Sequence, residues 1–548
     1  MIILAGDFNQ ISDVDIIERI GLTPIVHQPT RGANVLDRIY VSQPCYSSVR
    51  VVTSVVKSDH RAVVAYTDRN KCAQTKKTSL EMVYRTRTPE QHALFLEAVA
   101  DINFEFIETA DDVQNQFDIF YDAYLHLLDY FYPLRTIKVT SRDPSYITPD
   151  IKRLLRRKNR LMRRGRLEEA SALAHRIGKA VTRVSKSQLC NLGSDTSSRE
   201  LWTCVRHLTG KERNTKCVEG ITADSLNKHY ASTSTDLAYC PPSIKHSAFN
   251  SASDSISEWQ VFRALDTLHS TSTGLDNLPA WFLRLGAPVF YKPLTHLFNL
   301  SLSTSFVPVQ WKLAWIRPVP KVSTPTQHSD YRPISITPVL TRILEKMVVR
   351  QYMYPAILKP PAMLSFSDQF AYRPTGSTTA AIITILHTVT HLLATNPYVI
   401  VIALDFSKAF DTVRHHTLLH KIAKLDMPDH IYNWLTDFFT GHSHQTHYAG
   451  SVSQIQCISA SIIQGSAVGP TSYVANASDL HTVYHGNELC KYADDTYLIV
   501  PASNVDTRTA ELKNITDWAT INNLSLNLSK SEEIVFIDKK KEIQLPNS

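Results

Sequence analysis

Seven consecutive apolar residues, Tyr398-Val399-Ile400-Val401-Ile402-Ala403-Leu404, end abruptly on Asp405. Their length and β-branched content predict a buried strand with an acid at its end. Two shorter apolar runs flank a pair of aspartates in Cys490-Lys491-Tyr492-Ala493-Asp494-Asp495-Thr496-Tyr497-Leu498-Ile499-Val500. That pattern predicts two strands joined by a tight turn, with both carboxylates at the tip. Ile2-Ile3-Leu4-Ala5 is a further short apolar strand, closed by Gly6-Asp7-Phe8-Asn9. Elsewhere the period is helical. Trp259, Val261, Phe262, Leu265 and Leu268 suit an amphipathic helix packed on a core. Residues 88–133 read as mostly helical, and residues 151–190 hold helix formers with few breakers. Residues 232–257, rich in Ser, Thr and Pro, read as a linker.

Adjacent carboxylates repel unless a cation lies between them. Their hard oxygens suit Mg²⁺. Taken alone, Asp494-Asp495 fits a plain surface turn better. A two-metal phosphoryl-transfer site needs at least one more acid from another segment, and Asp405 is the candidate. Asp411 is either a second acid of that site or, the better fit, a helix-start residue.

The block Leu404-Asp405-Phe406-Ser407-Lys408-Ala409-Phe410-Asp411, with Tyr492-Ala493-Asp494-Asp495 downstream, resembles the palm of reverse transcriptases, most closely those of non-LTR (LINE-type) retrotransposons. Other blocks follow the family's order. Trp311-Lys312-Leu313-Ala314-Trp315-Ile316-Arg317-Pro318-Val319-Pro320-Lys321 and Asp330-Tyr331-Arg332-Pro333-Ile334-Ser335 resemble fingers, and Asp368-Gln369-Phe370-Ala371-Tyr372-Arg373 opens the block that follows. Gln464-Gly465-Ser466-Ala467-Val468-Gly469-Pro470 resembles the nucleotide-side loop and helix, and Leu526-Asn527-Leu528-Ser529-Lys530-Ser531-Glu532 the next palm motif. Further upstream, Ser272-Thr273-Gly274-Leu275-Asp276-Asn277 resembles the first fingers block, with Leu275 and Asn277 where Pro and Gly are commoner. The likeness covers residues 256–537, and so many blocks in one order exclude a chance match.

The resemblance implies an α+β chain: right-hand polymerase fingers and palm over residues 256–540, without a thumb. A helical basic connector and linker (67–255) and a partial α/β-sandwich endonuclease fragment (1–66) would precede them. It implies an RNA-directed DNA polymerase that extends a DNA primer or target 3′-end on an RNA template, using dNTPs. Asp405, Asp494 and Asp495 would hold two Mg²⁺ ions, or Mn²⁺, with the carbonyl of Phe406 as a further oxygen ligand and Asp495 the less direct one. Lys321 and Arg332 match positions that grip the triphosphate, where cations offset growing charge; solvated loop charge is the bland alternative. Phe410 matches an aromatic that leaves no room for a 2′-hydroxyl; without the motif it reads as a core Phe. Gln464 offers donor and acceptor, and Gly465 permits close backbone approach. Lys530 resembles the lysine that protonates leaving pyrophosphate. Arg373 would face template or nucleotide. One departure stands out: Ser461-Ile462-Ile463 occupies the place of the usual Gly-x-Pro, which changes the restraints on the loop before Gln464. The alternative is a catalytically inactive, truncated, nucleic-acid-binding retrotransposon remnant.

At the N-terminus, Gly6-Asp7-Phe8-Asn9, Leu36-Asp37-Arg38-Ile39-Tyr40-Val41 and Ser58-Asp59-His60 resemble the C-terminal part of the apurinic-type endonuclease of LINE elements. In that likeness Asp7 and Asn9 orient water and phosphate, Asp59 orients His60, and Asp37 is a supporting acid. The family's metal-binding Glu and half of its sandwich would precede Gly6, so the expectation is a remnant without nuclease activity.

Composition adds bounds. A chain of 548 residues accommodates three or four domains, and 43% apolar content allows sizeable cores. The net charge of +7 is concentrated: residues 151–190 carry 13 Lys/Arg against Glu168 and Glu169. A single basic helix there would either bind phosphates in a salt-dependent way or serve as a solvated connector. Eight Cys without a Cys-x-x-Cys pair argue against structural zinc and a disulfide framework. No membrane span and no secretory segment are expected, which points to an intracellular setting, nucleus or cytoplasm.

Overall fold

A computed structural model describes residues 2–9, 12–43, 46–54, 59–67, 79–110, 112–140, 147–189, 220–246, 255–538 and 540–541. The chain divides into two compact units, one drawn from residues 1–86 and 133–215, the other from residues 87–132 and 216–548.

In the first unit β1 (Ile3–Asp7), β2 (Thr23–Pro24) and β3 (Asp37–Val41) form an antiparallel sheet in the order β1-β3-β2. Two separate antiparallel strand pairs follow: β4 (Tyr46–Val52) with β5 (Ala62–Thr67), and β6 (Ser79–Arg85) with β7 (Leu134–Thr140). Ile16, Leu22 and Tyr40 make a small core, while Ile3, Val52, Val64 and Tyr66 stay exposed. The expected single basic helix is two helices, Pro149–Arg163 and Leu167–Leu189. Gly165 turns the chain between them at φ 74°, a left-handed conformation that glycine takes at no steric cost. Ile151, Leu154, Leu173 and Ile177 close a seam between the two, so Arg156, Arg157, Arg160 and Arg163 are left outward.

The second unit contains β8 (Leu313–Pro320), β9 (Tyr331–Ile336), β10 (Tyr398–Leu404), β11 (Phe406–Ser407), β12 (Ser443–Tyr448), β13 (Ser451–Val452) and β14 (Gln456–Cys457). Four more strands follow: β15 (Glu488–Tyr492), β16 (Asp495–Pro501), β17 (Ser525–Leu526) and β18 (Glu532–Ile537). One antiparallel sheet has the order β15-β16-β10-β18. The strand predicted at 398–404 is its β10, and alternation explains why the run is apolar throughout. Val399 and Val401 pack on the helix Thr378–Thr395, while Ile400, Ile402 and Leu404 enter the main core on the other face. A second sheet runs β13-β12-β8-β9, with β14 also on β12 and with β8 and β12 parallel. The short pair β11–β17 brings residues 525–526 beside Phe406 and Ser407.

Three expectations change here. Residues 87–132 do not belong to a connector: Phe117 packs on Trp311 at 5.0 Å and Tyr124 on Phe290 at 4.3 Å, within the core of the second unit. The expected linker is pinned where described, since Asp236 pairs with Arg414 at 2.8 Å and the Lys245 N–H donates to Asn433 Oδ1 at 2.8 Å; residues 247–254 lie outside the described residues. And the helix Thr378–Thr395 is, at 18 residues and mean hydropathy 1.3, long and apolar enough by length and composition to cross a membrane. Its Val389 lies on the sheet, whereas Ile382, Ile383 and Leu386 are exposed. The helix Glu258–Asp266 forms as predicted and buries Val261 and Leu265, but Trp259 faces outward, 64% exposed.

Candidate active site

Strand register alone brings the acids together. β10 and β16 pair up to Leu404 and Thr496, so one step further along each strand Asp405 comes beside Asp495. β15 and β16 close on Tyr492 and Asp495, which leaves Ala493 and Asp494 as a two-residue tip. Ala493 has φ 57°, a left-handed conformation uncommon for alanine. Strain of that kind persists only where the surroundings over-determine it, and here they do. Gln369, 2% exposed, accepts the Ala493 N–H at 2.9 Å and the Ala371 N–H at 3.0 Å through the same Oε1. Lys491, fully buried, donates to the carbonyls of Ala477 and Leu480 at 2.8 and 2.9 Å and pairs with Asp368 at 2.9 Å.

Burial pushes the carboxyl of Asp494 above the ordinary range, and the neighbouring charges of Asp495 and Asp405 add to the rise. Burial does the same to Asp495, with help from Asp405. The three carboxyls therefore share one electrostatic neighbourhood. Asp405 is braced by backbone: its carbonyl accepts the Asn527 N–H at 2.7 Å. Lys530 Nζ lies 3.7 Å from Asp405 Oδ2, but at 69% exposure that attraction is largely screened.

Asp405, Phe406 and Asp494 line an open cleft of about 690 Å³ together with Lys321, Arg332, Phe410, Gln464, Gly465 and Lys530. Asp495 is exposed and lies outside that lining. The carboxylates in that lining are Asp405, Asp411 and Asp494, and among the described residues no three His, Cys, Asp or Glu side chains form a ready metal cage. Phe410 stacks on Tyr473 at 4.5 Å and 19°, with Tyr372 edge-on at 6.4 Å. Gln464 donates to Asp411 Oδ1 at 2.7 Å, and its carbonyl accepts the Ser335 N–H at 2.9 Å. Burial lifts Asp411 to about 6. It lies in the first turn of the helix Ala409–Thr412, as expected, and also lines the cleft. Gly465 has φ 119°, and a Cβ there would meet the Ser335 carbonyl oxygen at 2.3 Å, so no other residue fits. Lys321 is pushed down by burial and by Arg332, Lys408 and Lys530, against the pull of Asp411.

Several supports were not anticipated. Glu345 is fully buried, and its Oε2 accepts from Ser466 Oγ at 2.7 Å, from the Val468 N–H at 3.2 Å and from the Ala467 N–H. It caps the helix Val468–Asn476 and fixes the loop that carries Gln464 and Gly465. A lone acid in the apolar helix Val339–Val348 was the available signal. Ser461, where the family has glycine, sits at φ 96° and is held by its N–H on Val413 O at 3.0 Å and by the His415 ring on its carbonyl at 2.8 Å. Asn277, also in a glycine position, takes φ 60°, which asparagine tolerates. The Arg373 guanidinium donates to the carbonyls of Gln369, at 3.1 Å, and Phe366, clamping its own loop.

In the first unit Asp7 pairs in register with Asp37, and Asn9 donates to Asp7 at 2.8 Å. The His60 ring Nδ1 meets Asp37 at 2.7 Å, while Asp59 pairs with Arg31 at 2.5 Å. The expectation that Asp59 orients His60 is corrected: that role falls to Asp37, because strand β3 carries it beside the imidazole. Ser58 lies outside the described residues.

A family model described as "Reverse transcriptase (RNA-dependent DNA polymerase)" matches residues 319–545. The chain is 25% identical over 492 residues to the RNA-directed DNA polymerase from mobile element jockey of Drosophila melanogaster, covering 81% of this chain and 53% of that protein. To the jockey polymerase of Drosophila funebris it is 25% identical over 476 residues, 78% of this chain and 51% of the relative. To the probable RNA-directed DNA polymerase from transposon X-element of Drosophila melanogaster it is 24% identical over 258 residues, 45% and 28%. The chain spans about half the length of the jockey relatives. An alignment with apo telomerase from Candida tropicalis covers 42% of this chain and 52% of that one at 14% identity, and its TM-score of 0.31 is too low to carry an argument. The resemblance to non-LTR reverse transcriptases is borne out by the family model and the mobile-element relatives.

Proposed function

We propose that this chain, similar to the RNA-directed DNA polymerases of non-LTR mobile elements, extends a DNA 3′-end on an RNA template with dNTPs. One observation carries the reading: Asp405 and Asp494 line a single cleft with Lys321, Arg332 and Lys530, where β10 ends beside the β15–β16 turn. In the family's terms the sheet of β15, β16, β10 and β18 is palm and the sheet of β8, β9 and β12 is fingers.

The donor set fits Mg²⁺. The charge of Asp405 adds to the raised pKa of Asp494 and of Asp495, a repulsion that a hard cation relieves, and Asp405, Asp494 and the Phe406 carbonyl would hold two such ions, with Asp495 in support. Mn²⁺ meets the same oxygens. When bound, the ions acidify the primer 3′-hydroxyl and neutralise charge on the phosphates. The chain's own residues do the rest. Lys321 and Arg332 bind the triphosphate, and Arg332 can do so bidentately. Phe410, braced by Tyr473, supports the sugar and leaves no space for a 2′-hydroxyl. Gln464 and Gly465 bring backbone and amide close to the nucleotide. The Lys530 ammonium holds the leaving pyrophosphate and gives it a proton.

The test is primer extension with purified protein, primed RNA, dNTPs and Mg²⁺. We expect cDNA, and none from Asp494→Asn. A second reading, a non-catalytic nucleic-acid-binding protein, is favoured by the strained Ser461 in the loop before Gln464. Intact RNA binding without any extension would establish it and sink the first.

A further inference from the structure

The helix Ala223–Thr233 lies outside the segment 319–545 matched by the family model, yet it is built into the second unit beside the cleft. One buried amide fixes it. Asn227, 1% exposed, donates to the Gln454 carbonyl at 2.7 Å, and its Oδ1 accepts from Thr446 Oγ1 and from the His444 ring Nδ1, each at 2.7 Å. Burial holds His444 down at about 4, so its ring is neutral and Nδ1 carries the proton for that bond. Leu226 and Tyr230 pack with Ile316 and Tyr331 on the sheet of β8 and β9.

With the helix so anchored, His229 and Thr233, one turn apart, face Lys408. Lys408 Nζ donates to Thr233 Oγ1 at 3.1 Å and lies 3.5 Å from His229 Nε2. The Thr233 hydroxyl proton is used on the His229 carbonyl at 2.9 Å, which leaves the oxygen lone pairs for the ammonium. Burial, then Lys408, His328 and Lys321, push His229 below the ordinary histidine range, so Nε2 is available as an acceptor. The other side of that ring stacks on His328 at 5.6 Å, and His328 Nε2 meets Ser225 Oγ at 2.9 Å. Lys408 itself stands at φ 52°, between β11 and the short helix Ala409–Thr412.

Lys408 lines the same cleft as Lys321, Arg332 and Lys530. A lysine left free samples many rotamers and moves away from like charges. Here two acceptors on a separate helix hold this exposed side chain beside Lys321, Arg332 and Lys530, four cations against the carboxylates of Asp405, Asp411 and Asp494, and a polyanion is what offsets the remainder. We infer that His229 and Thr233 position Lys408 as a further cation for the polyphosphate of the incoming nucleotide, which makes the helix Ala223–Thr233 part of the nucleotide site. The inference rests on the polymerase reading.

Steady-state primer extension with the full chain tests it. Lys408→Ala and Thr233→Val should each raise the dNTP KM about three- to tenfold, the size expected for one hydrogen bond to a charged group, with kcat changed less than about twofold. Thr233→Ser should restore the unmodified KM. The double variant Thr233→Val/Lys408→Ala should be no worse than Lys408→Ala, since one acts through the other. An unchanged KM, additive effects, or a loss carried by kcat overturns the inference. If the unmodified chain extends no primer, the polymerase reading fails by itself, and calorimetric titration with Mg²⁺ and dTTP then decides. Weaker binding by both single variants supports the inference, and equal or absent binding overturns it.

Discussion

Gln369 holds the turn that carries Asp494 and Asp495: its buried side-chain oxygen accepts the Ala493 N–H at 2.9 Å across 124 residues. A left-handed alanine that would otherwise relax is thereby fixed, and Asp494 with it.

Gln369→Leu removes that acceptor and leaves two buried N–H groups unpaired. We expect a loss of stability of about 1–3 kcal/mol and a fall in kcat for primer extension. Thermal melts and single-nucleotide extension at saturating dNTP check both. A variant with normal kcat would show that the turn needs no such brace.

Phe410 stacks on Tyr473, so its ring cannot swing aside. Phe410→Val should open the sugar side of the cleft and raise the use of ribonucleotides relative to deoxynucleotides at least about tenfold, the scale of one steric exclusion. Competition between rCTP and dCTP on primed RNA measures the ratio. An unchanged ratio would return Phe410 to a packing role.

Ser461 sits at φ 96° where the family has glycine. Ser461→Gly should relieve strain of about 1 kcal/mol, partly offset by the extra entropy of glycine in the unfolded chain. The observable is a higher unfolding midpoint together with equal or faster extension.

Glu345 is lifted to about 7 by burial. A carboxyl whose folded pKa lies above its unfolded value contributes stability that is complete below the unfolded pKa and is lost as pH rises to the folded one. Stability attributable to Glu345 should therefore decline between about pH 4.5 and 7. Glu345→Gln keeps an acceptor for Ser466 and Val468 and cannot ionise. Melts of the two proteins at pH 5 and 8 should show a smaller decline for the variant.

The exposed Arg156, Arg157, Arg160 and Arg163 stand outside the hairpin seam. Changing all four to Gln should weaken RNA binding and flatten its salt dependence, by about 0.7 in log–log slope for each phosphate no longer neutralised. An unaltered slope would make the hairpin a connector.

The sequence by itself determined the chemistry and its order along the chain. Apolar runs ending on Asp405 and on the Asp494-Asp495 turn are local patterns, because strand pairing and turn geometry depend on neighbours in sequence. Lys321, Arg332, Lys530 and Phe410 were legible only through the resemblance to the family's blocks, each a few contiguous residues long. Only the tertiary structure decided what holds those blocks in place. Gln369 on Ala493, Glu345 on the Ser466 loop, Asp37 rather than Asp59 on His60, and Thr233 on Lys408 are polar contacts between distant segments. Their donors and acceptors have no periodicity to betray them, since each is specified by where a polar atom finds its partners after the sheets and helices have packed.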